Sequence, residues 1–450
     1  MMGESARVVK PGDRVALADF IFTDDWVKDL ARFGVDADRR AERVPFVLDC
    51  AILISVRSRR TSLSGKKEGQ AMSKLTWSRI AAWRVRRHHL DKRLPAGSML
   101  AAASELCGLH AQVLSSAALT VWARVESLER GAVQRALWED RTLVKTWAMR
   151  GTLHLLPADD LPLWHAALST SRRYRKPGLW RRFGLTLDEL DRLTEAVGAA
   201  LDGCLMTREE LAEKVGQMTG SRRFVKKLAF GSWGTILKPA AMTGRLCFAP
   251  SAGQRVRFTR PKSWIPELGP QIDTRLATKM VTSRFLATYG PATYDDLARW
   301  WGGGGITTAR QWIAAMGEEV SPVEVDGVQA WMLASEVRQV REHTPQRSVR
   351  LIPAFDQYVV CASRHAEHLL IGAPRSRVYR PQGWISPVLL INGFMQGVWR
   401  HEIKGSQIGV VIEPFIKIPS WARRSTEAEA ERLAAFFGCK LNLAWKNELN

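Results

Sequence analysis

The sequence predicts an α+β chain of three tandem winged helix-turn-helix units, followed by a C-terminal antiparallel β domain with a closing helix. One observation is a recurring capping signature, Thr207-Arg208-Glu209-Glu210-Leu211-Ala212 and Thr293-Tyr294-Asp295-Asp296-Leu297-Ala298. In each, a Thr hydroxyl caps a helix and an acid three residues later answers it. The other is the pattern after each signature: a short helix, a polar break, a second helical stretch and a hairpin-like sequence. A chain of 450 residues with 46% hydrophobic content is also too long for one ordinary core.

Residues 1–71 read as a leader of different character. They hold 13 Lys+Arg against 11 Asp+Glu, so nearly all of the net charge of +21 lies beyond them. Lys67-Glu68-Gly69 is encodable by a purine-rich run resembling a ribosome-binding site just before Met72, which leads us to expect that translation starts at Met72. Residues 72–160 form the first unit. Met99 to Leu109 reads as a helix ended by Gly108, Ser115 or Ser116 caps a helix over Ala117 to Val125, and Thr142 to Leu156 supplies the hairpin.

Residues 161–270 form the second unit, with its break at Met218-Thr219-Gly220-Ser221 and a hairpin pairing Gly244 to Phe248 with Arg255 to Phe258. Residues 271–345 form the third, with its break at Gly302 to Gly305 and a hairpin across Asp326-Gly327, a strong turn signal. In residues 346–450, strands are expected over Leu351 to Phe355, Tyr358 to Ala362, Pro387 to Ile391, Phe394 to Trp399 and Gly409 to Phe415. Asn392-Gly393 is the hairpin turn, and a helix over Thr426 to Phe437, with Thr426 and Glu429 as capping box and Gly438 at its end, closes the chain. Three unrelated α+β segments with common capping chemistry are the alternative; the hairpin after each unit favours the repeat.

Composition restricts the function. A charge of +21 favours a polyanionic partner, most often nucleic acid. The six cysteines form no C-x-x-C pair and sit in apolar surroundings, as free thiols of a reducing compartment do. No apolar run approaches the roughly 20 residues that span a bilayer, and the N-terminus lacks the plan of a signal peptide. These features predict a cytoplasmic protein, monomeric and not membrane-bound.

The candidate chemistry lies in Gly108-Leu109-His110-Ala111-Gln112, at a break in an apolar pattern. Residues two apart diverge on a helix but point the same way in an extended segment, so a break would aim His110 and Gln112 into one pocket with Ala111 turned to the core. By spacing alone, a hydrogen-bonded structural pair is the better reading. Arg150 and His154 alternate along the expected wing strand, where they would contact a nucleic-acid backbone or complete the pocket.

Four segments in order carry a resemblance. Glu105-Leu106-Cys107-Gly108-Leu109-His110-Ala111-Gln112 resembles the motif of the AlkZ-like bacterial DNA glycosylases and their YcaQ-like relatives, which is Gln-apolar-Gln or Gln-apolar-Asp. Trp147 to His154 resembles the family's Arg-Gly-Thr-x-His segment, and Pro353 to Tyr358 its Pro-x-Phe-Asp-x-Tyr segment. Asn392 to Arg400 resembles its late hairpin. The resemblance runs from about residue 76 to 420. The departure is His110, where the best-known members have Gln.

The resemblance implies a cofactor-independent, monofunctional glycosylase acting on alkylated double-stranded DNA, with His110 and Gln112 catalytic. Arg150, Thr152, His154, Asn392, Phe394, Met395, Gln396, Trp399 and Arg400 would contact DNA, the hairpin probing the minor groove. Phe355, Asp356 and Tyr358 would line or support the pocket. An N3- or N7-alkylated purine already carries positive charge and leaves readily. The enzyme must hold an oxocarbenium-like sugar and place a water beside it. A Gln carbonyl orients water, and an imidazole with a pKa near 6.5 suits proton acceptance. The motif has no Lys nucleophile for a lyase reaction. A non-catalytic winged-helix regulator is the alternative. Taken alone, Trp399 reads better as packing in the core of an ordinary β-hairpin.

Other motifs fail. His365-Ala366-Glu367-His368 is not His-Glu-x-x-His, Gly302 to Gly305 lacks the Lys-Ser/Thr of a phosphate loop, and His88-His89 is a weak metal pair. No metal site is expected. The basic runs Arg84 to His89, Lys92-Arg93, Arg172 to Lys176, Arg181-Arg182, Arg222-Arg223 and Lys226-Lys227 offer phosphate contacts as clusters.

Overall fold

The computed structural model describes residues 73–230 and 234–446. The expectation about residues 1–71 lies outside these. The first segment runs β1 (Ser73–Leu75), α1 (Trp77–Arg87), α2 (Met99–Glu105), β2 (Leu109–His110), α3 (Leu114–Trp122), α4 (Ala132–Trp138), β3 (Leu143–Trp147) and β4 (Leu153–Pro157). Strands β2, β4 and β3 make a three-stranded sheet in that order.

The second segment runs α5 (Leu161–Ser169), α6 (Leu187–Ala200), β5 (Met206–Thr207), α7 (Arg208–Thr219), α8 (Arg222–Phe230), α9 (Lys238–Met242), β6 (Cys247–Ala252) and β7 (Arg255–Thr259), with sheet order β5-β7-β6. The third runs α10 (Thr274–Tyr289), α11 (Tyr294–Trp301), α12 (Gly305–Ala315), β8 (Val320–Val325), β9 (Val328–Leu333) and α13 (Val337–Glu342). Here Ala292 bridges Trp331. The place of a third strand is taken by β1, which pairs in parallel with β8, so the start of the first segment completes the sheet of the third.

The expected capping boxes are present. Thr207 accepts from Glu210 N while the Glu210 side chain accepts from Thr207 N, and Thr293 and Asp296 repeat the exchange. Each replaces two orphan amides' lost partners, worth about 1 kcal/mol per cap. Gly220 and Gly302 end α7 and α11 in the left-handed region, with φ of 67° and 74°.

The C-terminal segment runs β10 (Val349–Ile352), α14 (Gln357–Ala362), β11 (Val388–Ile391), β12 (Phe394–Lys404), β13 (Gln407–Pro414), α15 (Ser420–Phe437) and β14 (Lys440–Trp445) in a five-stranded sheet of sequential order. It is mixed rather than purely antiparallel, because β14 returns after α15 and pairs in parallel with β13. A helical crossover between adjacent parallel strands leaves no other geometry.

Three local expectations are corrected. Tyr358 to Ala362 is helical, not extended, because Asp356 caps its first turn. Ser115 and Ser116 lie inside α3, whose N-cap is Val113 with no side-chain bond, because the extended segment before it is short. Thr426 sits in the middle of α15 and bonds back to Ala422 O at 2.8 Å, since the helix begins six residues earlier; Gly438 does end it, with φ of 66°.

One core of buried residues runs from Ala102 to Val320 and is shared by the first three segments. It contains Trp300, whose ring lies 6.4 Å from that of Trp164 and 4.8 Å from that of Phe285. Each such aromatic buries about 150–250 Å². A second core joins the C-terminal sheet to Ala81 and Val85 of α1 and to Leu119 and Trp122 of α3. The His110 motif lies on the short strand between α2 and α3, in the segment that both cores include.

Candidate active site

Helix α2 stops because Cys107 and Gly108 take left-handed conformations in succession, with φ of 60° and 90°. A Cβ on Gly108 would lie 2.6 Å from Leu156 Cδ2 and 3.2 Å from Leu155 O, so the chain there approaches β4 as only glycine allows. It then runs extended: His110 pairs with His154 across the ladder, and Ala111 N donates to Leu153 O at 2.8 Å. Leu109 and Ala111 are fully buried in the core, His110 is the last residue of β2, and Gln112 lies in the bend that follows. His110 keeps 7% of its surface, and Gln112 is exposed.

His110 is bracketed by rings. Phe355 stacks on it at 5.4 Å and 12°, and His154 meets it edge-on at 5.6 Å and 74°. Its Nδ1 is buried with no partner. Burial, and then the charge of Arg150, push its pKa down to about 3. This corrects the expected value near 6.5: the imidazole is neutral throughout the physiological range, because its desolvated cation would face a fixed guanidinium.

Phe355 owes its position to the Pro353–Tyr358 segment. Its own φ is 59°, a strained conformation for a non-glycine residue. Asp356, wholly buried, accepts from Arg124 Nη1 at 2.6 Å, Arg124 Nη2 at 2.7 Å and Tyr358 N at 2.9 Å. Tyr358 donates its hydroxyl to Gly393 O at 2.7 Å. Asp356 and Tyr358 therefore support the site and do not face it. The neighbouring Gln357, which sequence reasoning passed over, donates Nε2 to Gly108 O and holds the motif's turn. No sequence signal marked it, since the pairing spans 249 residues.

The wing residues differ from expectation. Arg150 is in the turn between β3 and β4, with φ of 59°, not on a strand beside His154. It donates Nη1 to Trp300 O at 2.9 Å and Nη2 to His154 Nε2, 3.4 Å away. Thr152 bonds its own turn, to Met149 O at 3.1 Å.

The late hairpin is not where its residues were expected to act. Asn392 exchanges bonds with Ser348, N to O and N to Oδ1, both at 2.9 Å. A Cβ on Gly393 would lie 2.8 Å from Ala81 O, so the turn is tucked against α1. Met395 is fully buried, and Trp399 is buried with its Nε1 donating to Ile352 O at 2.8 Å. Neither presents a surface to DNA, because the strand's alternation turns them to the second core. Phe394 and Gln396 are half-buried, and Arg400 is exposed. The exposed end of this sheet is instead the β12–β13 turn, Lys404-Gly405-Ser406-Gln407.

Much of the basic sequence is also spoken for. Buried Arg84 donates to Pro291 O at 2.8 Å, Arg87 to Ala287 O at 2.6 Å, and Arg223 pairs with Glu189 at 2.6 Å. A cleft of about 1080 Å³ lies between the end of α1 and the end of α13, lined by Arg86, Lys92, Arg93, Glu342 and His343 among others; His110 and Gln112 are not part of it. Among the described residues no group of His, Cys, Asp and Glu is arranged to hold a metal ion, and no helix is long and apolar enough to cross a membrane.

Known proteins resemble this chain in sequence and fold. Residues 103–436 match the family model described as DNA glycosylase AlkZ-like. The chain belongs to the AlkZ-like DNA glycosylase family. A relative in that family, the interstrand DNA cross-link repair glycosylase of Streptomyces sahachiroi, is 35% identical over 372 residues, 81% of this chain and 97% of the relative. The solved structure of Streptomyces sahachiroi DNA glycosylase AlkZ superposes with a TM-score of 0.74 at 33% identity, over 83% of this chain and all of that one. The chain is thus an enzyme, a DNA glycosylase of the AlkZ-like family, and the reading as a non-catalytic regulator is set aside.

Proposed function

We propose that this glycosylase hydrolyses the N-glycosidic bond of N3- or N7-alkylated purines in duplex DNA, in repair or in protection from a genotoxin. The observation that carries the reading is the buried imidazole of His110, whose Nδ1 has no partner, two residues from the exposed Gln112. An alkylated purine leaves without protonation, so the site needs no acid. The Gln112 carboxamide orients the attacking water. The His110 imidazole accepts a hydrogen bond from it, with Phe355 holding the ring.

With a proton affinity lowered by burial, His110 acts by orientation more than by ground-state proton uptake. No lysine lies in the motif, so the reaction ends at the abasic site. The three helical segments, each with its three-stranded sheet, serve as winged helix-turn-helix units on the duplex. Arg400 and the exposed β12–β13 turn supply the minor-groove contact in place of the Asn392–Gly393 turn, which is tucked against α1. The enzyme works as a monomer in the cytoplasm, at the nucleoid.

The test is release of base from a duplex carrying one N7-methylguanine, detected by mass spectrometry. His110→Ala and Gln112→Ala should each slow single-turnover release by about 10²–10³-fold, the effect of one positioned group. Wild-type rates in both variants would remove these residues from the mechanism. Tight sequence-specific binding with no release from any alkylated duplex would overturn the reaction itself.

A further inference from the structure

The Gly302–Gly305 run has no phosphate-loop role, yet it touches the site. A Cβ on Gly302 would lie 2.8 Å from Arg150 Cα, so the end of α11 and the wing turn of the first segment meet backbone to backbone. Arg172 N donates to Gly303 O at 2.9 Å and Arg173 Nη1 to Gly302 O at 3.4 Å, which seats the same run from a second side. Arg150, held there by Trp300 O, reaches back to His154.

The bonds of His154 define its tautomer. Its Nδ1 lies 3.0 Å from Thr152 O, and a carbonyl only accepts, so Nδ1 carries the proton. Its Nε2 faces a guanidinium, which only donates, so Nε2 carries the lone pair. Both nitrogens are occupied, and His154, 1% exposed, has only its ring edge left for His110. His110 Nδ1 thus remains without a protein partner. Protonation of either imidazole is opposed by burial first and Arg150 second.

We propose that Arg150 is a positioning residue, not a DNA contact: docked on the third segment, it locks His154 as the Nδ1–H tautomer and so leaves the His110 imidazole free to serve the reacting water. This role rests on His110 acting in catalysis, and its test separates the two. Arg150→Met, Arg150→Lys and Gly302→Ala are compared with wild type in three ways: single-turnover release of N7-methylguanine at saturating DNA, the salt dependence of DNA binding, and the ring-nitrogen NMR signals of His154. Gly302→Ala keeps the guanidinium but presses a Cβ against the backbone and Cγ of Arg150.

Arg150→Met and Gly302→Ala should lower the saturated rate at least tenfold with DNA affinity and salt slope unchanged, and Arg150→Met should allow His154 to populate its other tautomer. Arg150→Lys, which keeps one donor for Nε2, should restore the tautomer and much of the rate. Weaker binding with a salt slope reduced by about one, at an unchanged saturated rate, would make Arg150 a phosphate contact and overturn the proposal. So would an unaltered His154 tautomer in folded Arg150→Met, and that signal decides the matter even if the wild type releases no base.

Discussion

Replacing Asp356 by Asn tests whether the buried ion pair with Arg124 holds the site. Both side chains are fully buried, and two bonds of 2.6 and 2.7 Å join them in a bidentate pair. Removing the carboxylate's charge leaves the guanidinium in the core with Thr120 O as its other acceptor, 2.9 Å away. A buried charge stripped of its partner costs about 3–5 kcal/mol, whereas exchanging both partners for apolar groups of like volume is often close to neutral. Asp356→Asn, Asp356→Leu and Arg124→Met should therefore each destabilise by about 3–5 kcal/mol, and Arg124→Met with Asp356→Leu by less than any of them.

The assay is denaturant unfolding of the five proteins, in which wild type, Asp356→Leu, Arg124→Met and their double variant form a double-mutant cycle. Because Phe355 precedes Asp356 and stacks on His110, base release should fall with the stability. Single variants costing under about 1 kcal/mol, or a double variant whose loss equals the sum of the singles, would refute the reasoning.

Three further outcomes are expected. His88, His110, His154 and His165 are all held below their usual pKa, chiefly by burial, His165 at about 4; the unfolded chain takes up their protons below about pH 6.5 and the folded chain does not, so stability is full above that pH and falls by about 1.4 kcal/mol per histidine for each unit below it. Equal urea midpoints at pH 7.5 and 5.5 would contradict this. With His110 protonating only near pH 3, the single-turnover rate should show no histidine titration between pH 5 and 8; a rate halving near pH 6.5 would mean that the ring is solvated. Gly108→Ala forces a side chain into φ of 90° and against Leu156 and Leu155 O, which should cost about 2 kcal/mol or more and slow base release; a stable, fully active variant would show that the turn relaxes freely.

Much of the fold was legible because it is local. The capping boxes at Thr207 and Thr293, the stops at Gly220, Gly302 and Gly438, and the Asp326-Gly327 hairpin each need only a few neighbouring residues. The form of the motif was legible to a similar depth: the glycine break predicts that the helix stops before a short extended segment, and β2 at Leu109–His110 is that segment. The errors fell where distant parts decide. Tyr358 to Ala362 has a strand-like composition, but Asp356 caps it as a helix. The hairpin residues Met395 and Trp399 were read through the resemblance as a groove probe, but the sheet packs against α1 and α3 and turns both inward.

The chain alone determined the order of elements, the motif's extended form and, through resemblance, the family. Tertiary structure decided the state of the motif: the Phe355 stack, the Gln357 tie to Gly108, the depressed proton affinity of His110 and the inward reach of Arg150. Burial and through-space charge depend on residues hundreds of positions apart, and no local pattern encodes which of them will meet.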